Sequence, residues 1–364
     1  MRDRLVGSVL DGRYRVDAPL GAGAMGTVYR GVQISVGRDV AIKLVNPQWV
    51  RNGDIVKRFV REAVLTSQLV HPNAVSVLDF GQTQDGIYYL VMELLTGRSL
   101  EELLRAEGRL SPERVVRIGS QICSALLSAH HMSILHRDLK PANIIMVNGV
   151  ATHDHVKVVD FGIAKSLSLD PAGRNNTDIT RVGALLGTPA YMPPEVLYGS
   201  PADQRSDLYS LGCIMYELAT GRTPYLADNI PALITEMTTS LPPTPHELGV
   251  PGALASIISA LIAKNPAHRY MDAAHLQQAL LQLEHPGHTA MTPLPSAYGF
   301  QQHMTPPPFP APPPAIRRQR AWPVALACGA ALALCGAALI LGLLSKPPST
   351  PPPAASTAAT SPMR

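Results

Sequence analysis

Hydrophobic and polar positions along the chain fall into three regimes. Near the N-terminus, Val28-Tyr29-Arg30-Gly31-Val32 and Val40-Ala41-Ile42-Lys43-Leu44-Val45 are β-branched and partly alternating, which predicts pleated strands. From about Asp54 to Leu69 the spacing shifts to a helical period. Beyond it the chain reads as mostly helical. Ser111-Pro112 supplies an N-cap and a proline at the first helical position, and Val115, Ile118, Ile122, Leu126 and Ala129 then recur on one face. The stretch Leu208 to Ala219 is apolar on nearly all sides and stops at Gly221, the pattern of a helix buried at the centre of its neighbours.

The third regime is an uncharged run from Ala321 to Ser345. As a helix its 25 residues, at about 1.5 Å each, extend roughly 37 Å, enough to cross a hydrocarbon layer of about 30 Å with some tilt. Arg317, Arg318 and Arg320 precede this run and only Lys346 follows it closely. That asymmetry predicts an N-terminal side held in the cytoplasm. Prolines mark the approach: 17 of 34 fall after His285, in the far shorter part of the chain. Residues 286–320, with Pro306-Pro307-Pro308 and Pro312-Pro313-Pro314, cannot bury a core and read as an extended juxtamembrane linker. Residues 346–364 form a short tail rich in Pro, Ser and Thr, too small for a folded sensor.

Composition changes this picture little. A 46% apolar share with 16% charged residues suits a chain with a membrane segment, and a net charge of +4 makes no case for nucleic acid. Cys123, Cys213, Cys328 and Cys335 lack metal-ligand spacing and read as small apolar residues of a reducing compartment. The opening Met1-Arg2-Asp3-Arg4-Leu5 lacks the apolar core of a cleavable signal.

The chemistry lies in ordered motifs. Gly21-Ala22-Gly23-Ala24-Met25-Gly26-Thr27-Val28 is a GxGxxGxV loop whose glycines let backbone approach phosphates. Alone the signal is weak, since a glycine-rich hairpin or a dinucleotide loop fits nearly as well. The strand after it and the Val40-Ala41-Ile42-Lys43 run decide against a dinucleotide fold. Lys43 sits in an apolar strand, where an ammonium is costly unless paired. His136-Arg137-Asp138-Leu139-Lys140-Pro141-Ala142-Asn143 and Asp160-Phe161-Gly162 then place a candidate base, a phosphate-contacting lysine and two candidate magnesium ligands in fixed order. The interval between Asp138 and Asp160 is 22 residues, and Gly149 to His155 within it reads as a hairpin insertion. His153 and His155 read as turn residues and not as metal ligands.

Together these motifs resemble the serine/threonine protein kinases, closest in character to the bacterial membrane-anchored, receptor-like (eukaryotic-type) members. The resemblance implies an α+β, two-lobed fold over residues 12–285, with a small β-rich lobe (about 12–93), a hinge near Glu93 to Thr96 and a larger helical lobe (about 97–285). A single transmembrane helix at 321–345 would follow. The implied cofactors are ATP and magnesium, with manganese an acceptable substitute. Asp138, Lys140, Lys43 and Glu62 are the implied catalytic set, Glu62 as the helix partner of Lys43. Leu20, Gly21, Ala22, Gly23, Gly26, Val28, Ala41, Lys43, Met92, Glu93 and Ile145 would bind ATP, with Met92 as gatekeeper. Asn143 and Asp160 would hold metal.

Residues 160–195 match an activation segment. In it Thr177 and Thr180 are candidate phosphorylation sites, and Arg137 would receive the phosphate. Thr188 resembles the threonine that contacts the catalytic aspartate and lysine. Glu195 and Arg269 match a buried ion pair, and Asp207 matches the aspartate that props the catalytic loop. At the segment's end this chain reads Pro193-Pro194-Glu195 where Ala-Pro-Glu or Ser-Pro-Glu is usual. The implied partners are protein substrates carrying Ser or Thr, the membrane, and a second copy for trans-autophosphorylation. Gly329 and Gly336 would allow two spans to pack closely, although an alanine-rich span without dimerisation fits the same residues. A nucleotide-binding pseudokinase scaffold is the alternative from another class. Retention of Lys43, Asp138 and Asp160 speaks against it, and the Gly187-Thr188-Pro189 shelf speaks against a small-molecule phosphotransferase. Placement at the cell membrane with the kinase domain in the cytoplasm is the expected localisation.

Overall fold

A computed structural model describes residues 5–23, 26–46, 53–148, 154–161, 189–226 and 230–284. The linker, the apolar run and the tail expected at 286–364 lie outside the described residues, as do Thr177, Thr180 and Thr188. By contact density the chain divides into Met1–Thr292 and Pro293–Arg364, and every described residue belongs to the first unit. Among the described residues no helix is long and apolar enough to cross a membrane.

The first strands are β1 (Val9–Leu10), β2 (Tyr14–Gly23), β3 (Gly26–Gln33), β4 (Arg38–Val45), β5 (Val77–Gln82) and β6 (Tyr88–Glu93). They form one sheet in the order β1-β2-β3-β4-β6-β5, with every neighbouring pair antiparallel. Helix α1 (Gly53–Ser67) lies between β4 and β5 in the chain and packs on this sheet. Alternation along β4 explains how both faces are buried. Val40, Ile42 and Leu44 join Tyr14, Tyr29, Tyr89 and Val91 in one cluster. Ala41 and Val45 join Phe59 and Ala63 of α1, with Leu90 and Met92, in the other. Lys43 has the same parity as Ala41 and Val45, so the strand's period sets the ammonium on the α1 side.

After β6 the chain crosses Leu94, Leu95 and Thr96 and enters a second sheet at β7 (Gly97–Ser99), which pairs with β8 (Ile144–Val147), itself paired with β9 (Val156–Val158). The expected hinge is therefore the passage between two sheets. Around it stand α2 (Leu100–Glu107), α3 (Pro112–His131), α4 (Pro194–Leu197), α5 (Gln204–Thr220), α6 (Ile230–Thr239), α7 (Gly252–Leu261) and α8 (Ala273–Glu284).

Capping sets their limits. Ser99 and Glu102 close a capping box at α2. The Ser111 hydroxyl accepts the Arg114 N–H at α3. Helix α5 begins at Gln204, four residues before the apolar stretch, because the Asp203 carboxylate accepts the Arg205 and Ser206 N–H groups. It ends where Gly221 adopts φ 80°.

Helix α5 is the centre of the larger lobe, packed on α3 and α7. Leu208, Leu211, Ile214 and Leu218 are fully buried, and each such side chain contributes roughly 1.5–3 kcal/mol of burial. Its approach to α7 is so close that a Cβ on Gly212 would stand 2.5 Å from Leu261 Cβ.

Strands β8 and β9 pair antiparallel, and of the predicted insertion between them the described residues are Asp154 and His155, the first of which is anchored. Arg114 grips the Asp154 carboxylate through Nε and Nη2, and Arg117 adds a bond at 3.0 Å. These contacts fix the short strand that leads to Asp160.

Candidate active site

The segment His136 to Asn143 is held from beneath by Asp207 in the first turn of α5. Its carboxylate accepts the backbone N–H of His136 (2.8 Å) and of Arg137 (2.9 Å) and the Nε2–H of His130 (2.9 Å). Burial alone would push Asp207 upward, but the bond from His130 and the nearby His136 keep it below the ordinary aspartate value. His130 Nδ1 is buried without a hydrogen-bond partner among the described residues, so the ring engages Asp207 through Nε2 alone. His136 is buried and pushed downward by that burial. Its Nε2–H donates to Val159 O at 3.0 Å and its Nδ1 accepts from Asp138 N at 3.3 Å. The ring also packs on Phe161, 4.9 Å between centroids. One histidine thus ties the Asp138 loop to the Asp160 segment, and the Val159 N–H adds a second tie by donating to Asn143 O at 2.9 Å.

Two residues of this region hold left-handed backbone without being glycine: Arg137 and Asp160, both at φ 62°. Such conformations cost of order 1 kcal/mol or more and persist where surrounding bonds fix them. Here those bonds are the Asp207 carboxylate for Arg137 and the His136 and Phe161 contacts for the Asp160 turn.

Asp138, Lys140 and Asn143 converge. Lys140 Nζ donates to Asp138 Oδ2 at 2.9 Å, and Asn143 Nδ2 donates to Asp138 O at 2.9 Å and Oδ2 at 3.3 Å. From the other sheet, Lys43 Nζ donates to Asp160 Oδ1 at 2.8 Å, with the lysine side chain only 14% exposed. A partly buried ammonium and a carboxylate from separate lobes therefore meet across the cleft.

One expected pairing differs. Glu62 Oε1 accepts from Arg137 Nη1 at 3.1 Å, and a Lys43–Glu62 ion pair is not among those of the described residues. The implied partnership is exchanged for two others. Asp160, set by its left-handed backbone, satisfies Lys43, and the longer guanidinium of Arg137 reaches Glu62 on α1.

The expected nucleotide residues lie on the two sheets bordering the same cleft. Gly21, Ala22 and Gly23 pair with Val28, Thr27 and Gly26 at the ends of β2 and β3. Gly26 needs its lack of a side chain, since at φ 153° a Cβ would lie 1.9 Å from Leu44 O. Leu20 is exposed, while Ala41 and Met92 are buried cross-strand partners in the α1-side cluster that Val28 borders. Ile145 stands on β8 opposite Lys157. The Glu93 carboxylate is engaged by Lys157 Nζ at 2.6 Å and Ser76 N at 2.7 Å, so what Glu93 can offer a ligand is its main chain.

Glu195 and Arg269 form a bidentate pair at 2.7 and 2.8 Å, and Arg269 also donates to the carbonyls of Ala263, Lys264 and Arg205. Its guanidinium stacks 4.7 Å over the Tyr209 ring.

Asp160 offers carboxylate oxygens, and Asn143, whose amide nitrogen is spent on Asp138, offers an amide oxygen. That donor set fits a hard divalent cation whose remaining ligands are phosphate oxygens and water. Among the described residues there is no group of three or more His, Cys, Asp or Glu side chains that would cage a metal by itself. Sequence reasoning missed His130 and Lys157, because neither stands in a motif and only the fold brings them to Asp207 and Glu93.

Residues 14–281 match the family model described as a protein kinase domain. The chain is 41% identical over 271 residues to the serine/threonine-protein kinase pkn3 of Myxococcus xanthus, covering 73% of this chain and 49% of that protein. It is 37% identical over 278 residues to the serine/threonine-protein kinase PrkC of Bacillus subtilis, covering 75% and 41%. The chain thus matches half or less of the length of these relatives. Among solved structures, the PknI kinase domain of Mycobacterium tuberculosis aligns with a TM-score of 0.59 at 25% identity, covering 76% of this chain and 98% of that one.

Proposed function

The chain belongs to the protein kinase family, and from that premise we propose that it transfers the γ-phosphoryl group of ATP to serine and threonine hydroxyls of proteins. The observation that carries this reading is the Lys43–Asp160 contact across the cleft at 2.8 Å, with the Asp160 segment tied through His136 and Val159 to the cluster of Asp138, Lys140 and Asn143. The Lys140-Pro141-Ala142-Asn143 wording and the names of the two bacterial relatives support the serine/threonine class.

Each residue then has a task. The glycines of β2 and β3 cover the phosphates with backbone N–H groups, and Val28, Ala41, Met92 and Ile145 enclose the adenine. Lys43 holds the α- and β-phosphates. Asp138 accepts the proton of the incoming hydroxyl, and its carboxylate is oriented for that by Asn143 and Lys140. Lys140 steadies the phosphoryl in transit. Asp160 and Asn143 would hold magnesium, or manganese in its place; the ion supplies charge neutralisation on the phosphates. None of these steps needs a covalent enzyme intermediate, so positioning and electrostatics carry the rate.

Activation follows from the same arrangement. A phosphate on Thr177 or Thr180 would compete with Glu62 for Arg137, the stronger and bidentate acceptor winning, and would free Glu62 for Lys43. Autophosphorylation between two copies supplies that phosphate. The kinase domain is tethered through residues 286–320 to a span at 321–345 in the cell membrane and faces the cytoplasm, with residues 346–364 outside. The positive-inside asymmetry around that span supports this topology.

The test is incubation of the purified protein with labelled ATP and magnesium, followed by mapping of phosphosites. Label on serine or threonine in the wild type and none in Asp138→Asn is expected. Equal labelling of that variant removes Asp138 from its role, and nucleotide binding without labelling supports the pseudokinase reading. A reporter fused after Arg364 should be active only outside the membrane, and cytoplasmic activity there overturns the topology.

A further inference from the structure

Lys157 belongs to none of the motifs, yet it occupies the junction of three elements. Its neighbours on β9, Val156 and Val158, are both fully buried in the core of the larger lobe, so the strand's alternation sends Lys157 to the opposite face. On that face its cross-strand partner is Ile145. A lysine thus stands beside the residue expected under the adenine, three positions before Asp160.

Its ammonium bridges two further segments. Nζ donates to Glu93 Oε1 at 2.6 Å and approaches Ala74 O at 3.4 Å. Glu93 is the last residue of β6, where the chain leaves the first sheet for the second. The same carboxylate oxygen accepts the Ser76 N–H at 2.7 Å, and Glu93 N donates to Ser76 O at 3.0 Å. Residues 73–76, which lead from α1 to β5, are in turn stitched to β9. Val75 N donates to Val158 O, Val158 N donates to Asn73 O, and Asn73 Nδ2 reaches Val156 O and Gln121 of α3.

The far end of the hinge is fixed separately, by Asn148 N donating to Thr96 O. At the near end the side-chain hydrogen bond to the larger lobe among the described residues is the one from Lys157 to Glu93. The partly buried ion pair leaves the lysine 16% and the glutamate 20% exposed. Burial by itself would push Glu93 upward, and the bonds from Lys157 and Ser76 hold it below the ordinary glutamate value.

From this geometry we propose that Lys157 is a positioning residue for the nucleotide: by holding Glu93 it fixes the hinge backbone at residues 93–95 against the β8–β9 face that carries Ile145. This deepens the kinase reading and rests on its placement of adenine between the two sheets. In that placement Lys157 is engaged by Glu93 and Ala74 and is assigned no contact with phosphate or acceptor. Its loss should therefore act on nucleotide affinity and spare the chemical step.

The experiment uses the full-length protein in detergent, with a fluorescent ATP analogue plus magnesium for binding and labelled ATP for transfer. Lys157→Met should weaken analogue binding and raise the ATP KM by about fivefold or more, the effect of one charge-assisted hydrogen bond lost from a positioned site. The kcat should stay within about twofold and the KM for a protein acceptor should not move. Glu93→Gln should reproduce this pattern, and Lys157→Arg should recover most of the affinity.

A Lys157→Met protein with wild-type melting temperature and unchanged ATP KM overturns the proposal. Should that variant not fold, Glu93→Gln decides: an unchanged KM there overturns it as well. A wild type that binds the analogue but transfers nothing overturns the kinase reading alone, and the binding comparison still decides for Lys157.

Discussion

Glu62 on α1 and Arg137 beside Asp138 are joined at 3.1 Å, so the helix of the small lobe is linked to the loop that holds the candidate base. Both side chains are about one-quarter exposed. A double-mutant cycle on thermal stability with Glu62→Gln and Arg137→Met should return a coupling of about 0.5–1 kcal/mol. The same cycle with Lys43→Met in place of Arg137→Met should return a value near zero for the unphosphorylated protein. The reverse order of the two couplings would place Glu62 on Lys43.

The Glu195–Arg269 pair is of a different kind, because the Arg269 side chain is wholly buried. Glu195→Gln strands a guanidinium with no way back to water and should cost about 3–5 kcal/mol of stability. Arg98→Ala, at the exposed pair with Glu107, should cost less than about 1 kcal/mol. Denaturant unfolding of the two variants separates these cases, and equal losses would refute the distinction.

Acid should destabilise the fold before any carboxylate of ordinary affinity titrates. His136 is held down by burial, partly offset by Asp207, Asp138 and Asp160, and His71 is held down by burial and by the Lys157 charge. A base whose folded pKa lies below its unfolded value takes its proton first in the unfolded chain. Stability is therefore intact above the ordinary imidazole value of 6.5 and falls as pH drops below it. The slope is at most about 1.4 kcal/mol per pH unit for each such group. Unfolding midpoints between pH 7.5 and 5.5 should fall, with a shallower slope in His71→Asn. Flat midpoints in the wild type would contradict this.

Gly26→Ala forces a methyl group onto Leu44 O, only 1.9 Å from an ideal Cβ. The β3–β4 pairing must open at that end, beside the glycines proposed to cover the phosphates. The ATP KM should rise about tenfold or more while the KM for a protein acceptor holds, as steady-state kinetics would read.

Much of this was legible in residue order. The strand period around Lys43, the helix opening at Ser111-Pro112 and the stop at Gly221 are local signals, and local geometry obeyed them. The Asp138 to Asn143 cluster was equally plain, because its members are close in sequence and a single turn brings them together. What the chain concealed were choices among distant partners. The resemblance gave Lys43 one carboxylate partner, Glu62, and nothing near either residue in the chain says that Asp160 lies in contact with the ammonium instead. Lys157 reads as an ordinary polar position on a short strand until β6 ends beside it. Asp154 read as part of a hairpin insertion, and its anchoring by Arg114 and Arg117 depends on where α3 passes. Where α5 begins was missed for a smaller reason: Asp203 competes for the first free N–H groups four residues ahead of the apolar run.

The three hydrogen bonds that Asp207 accepts have a bearing on how such a protein can diversify. The alignment of the reacting groups is set by a helix in the molecule's interior, remote from the rims that would greet an acceptor. On the proposed function, descendants of this chain can change what they court as targets while the transfer step keeps its registration, because that registration is written in a buried carboxylate of α5.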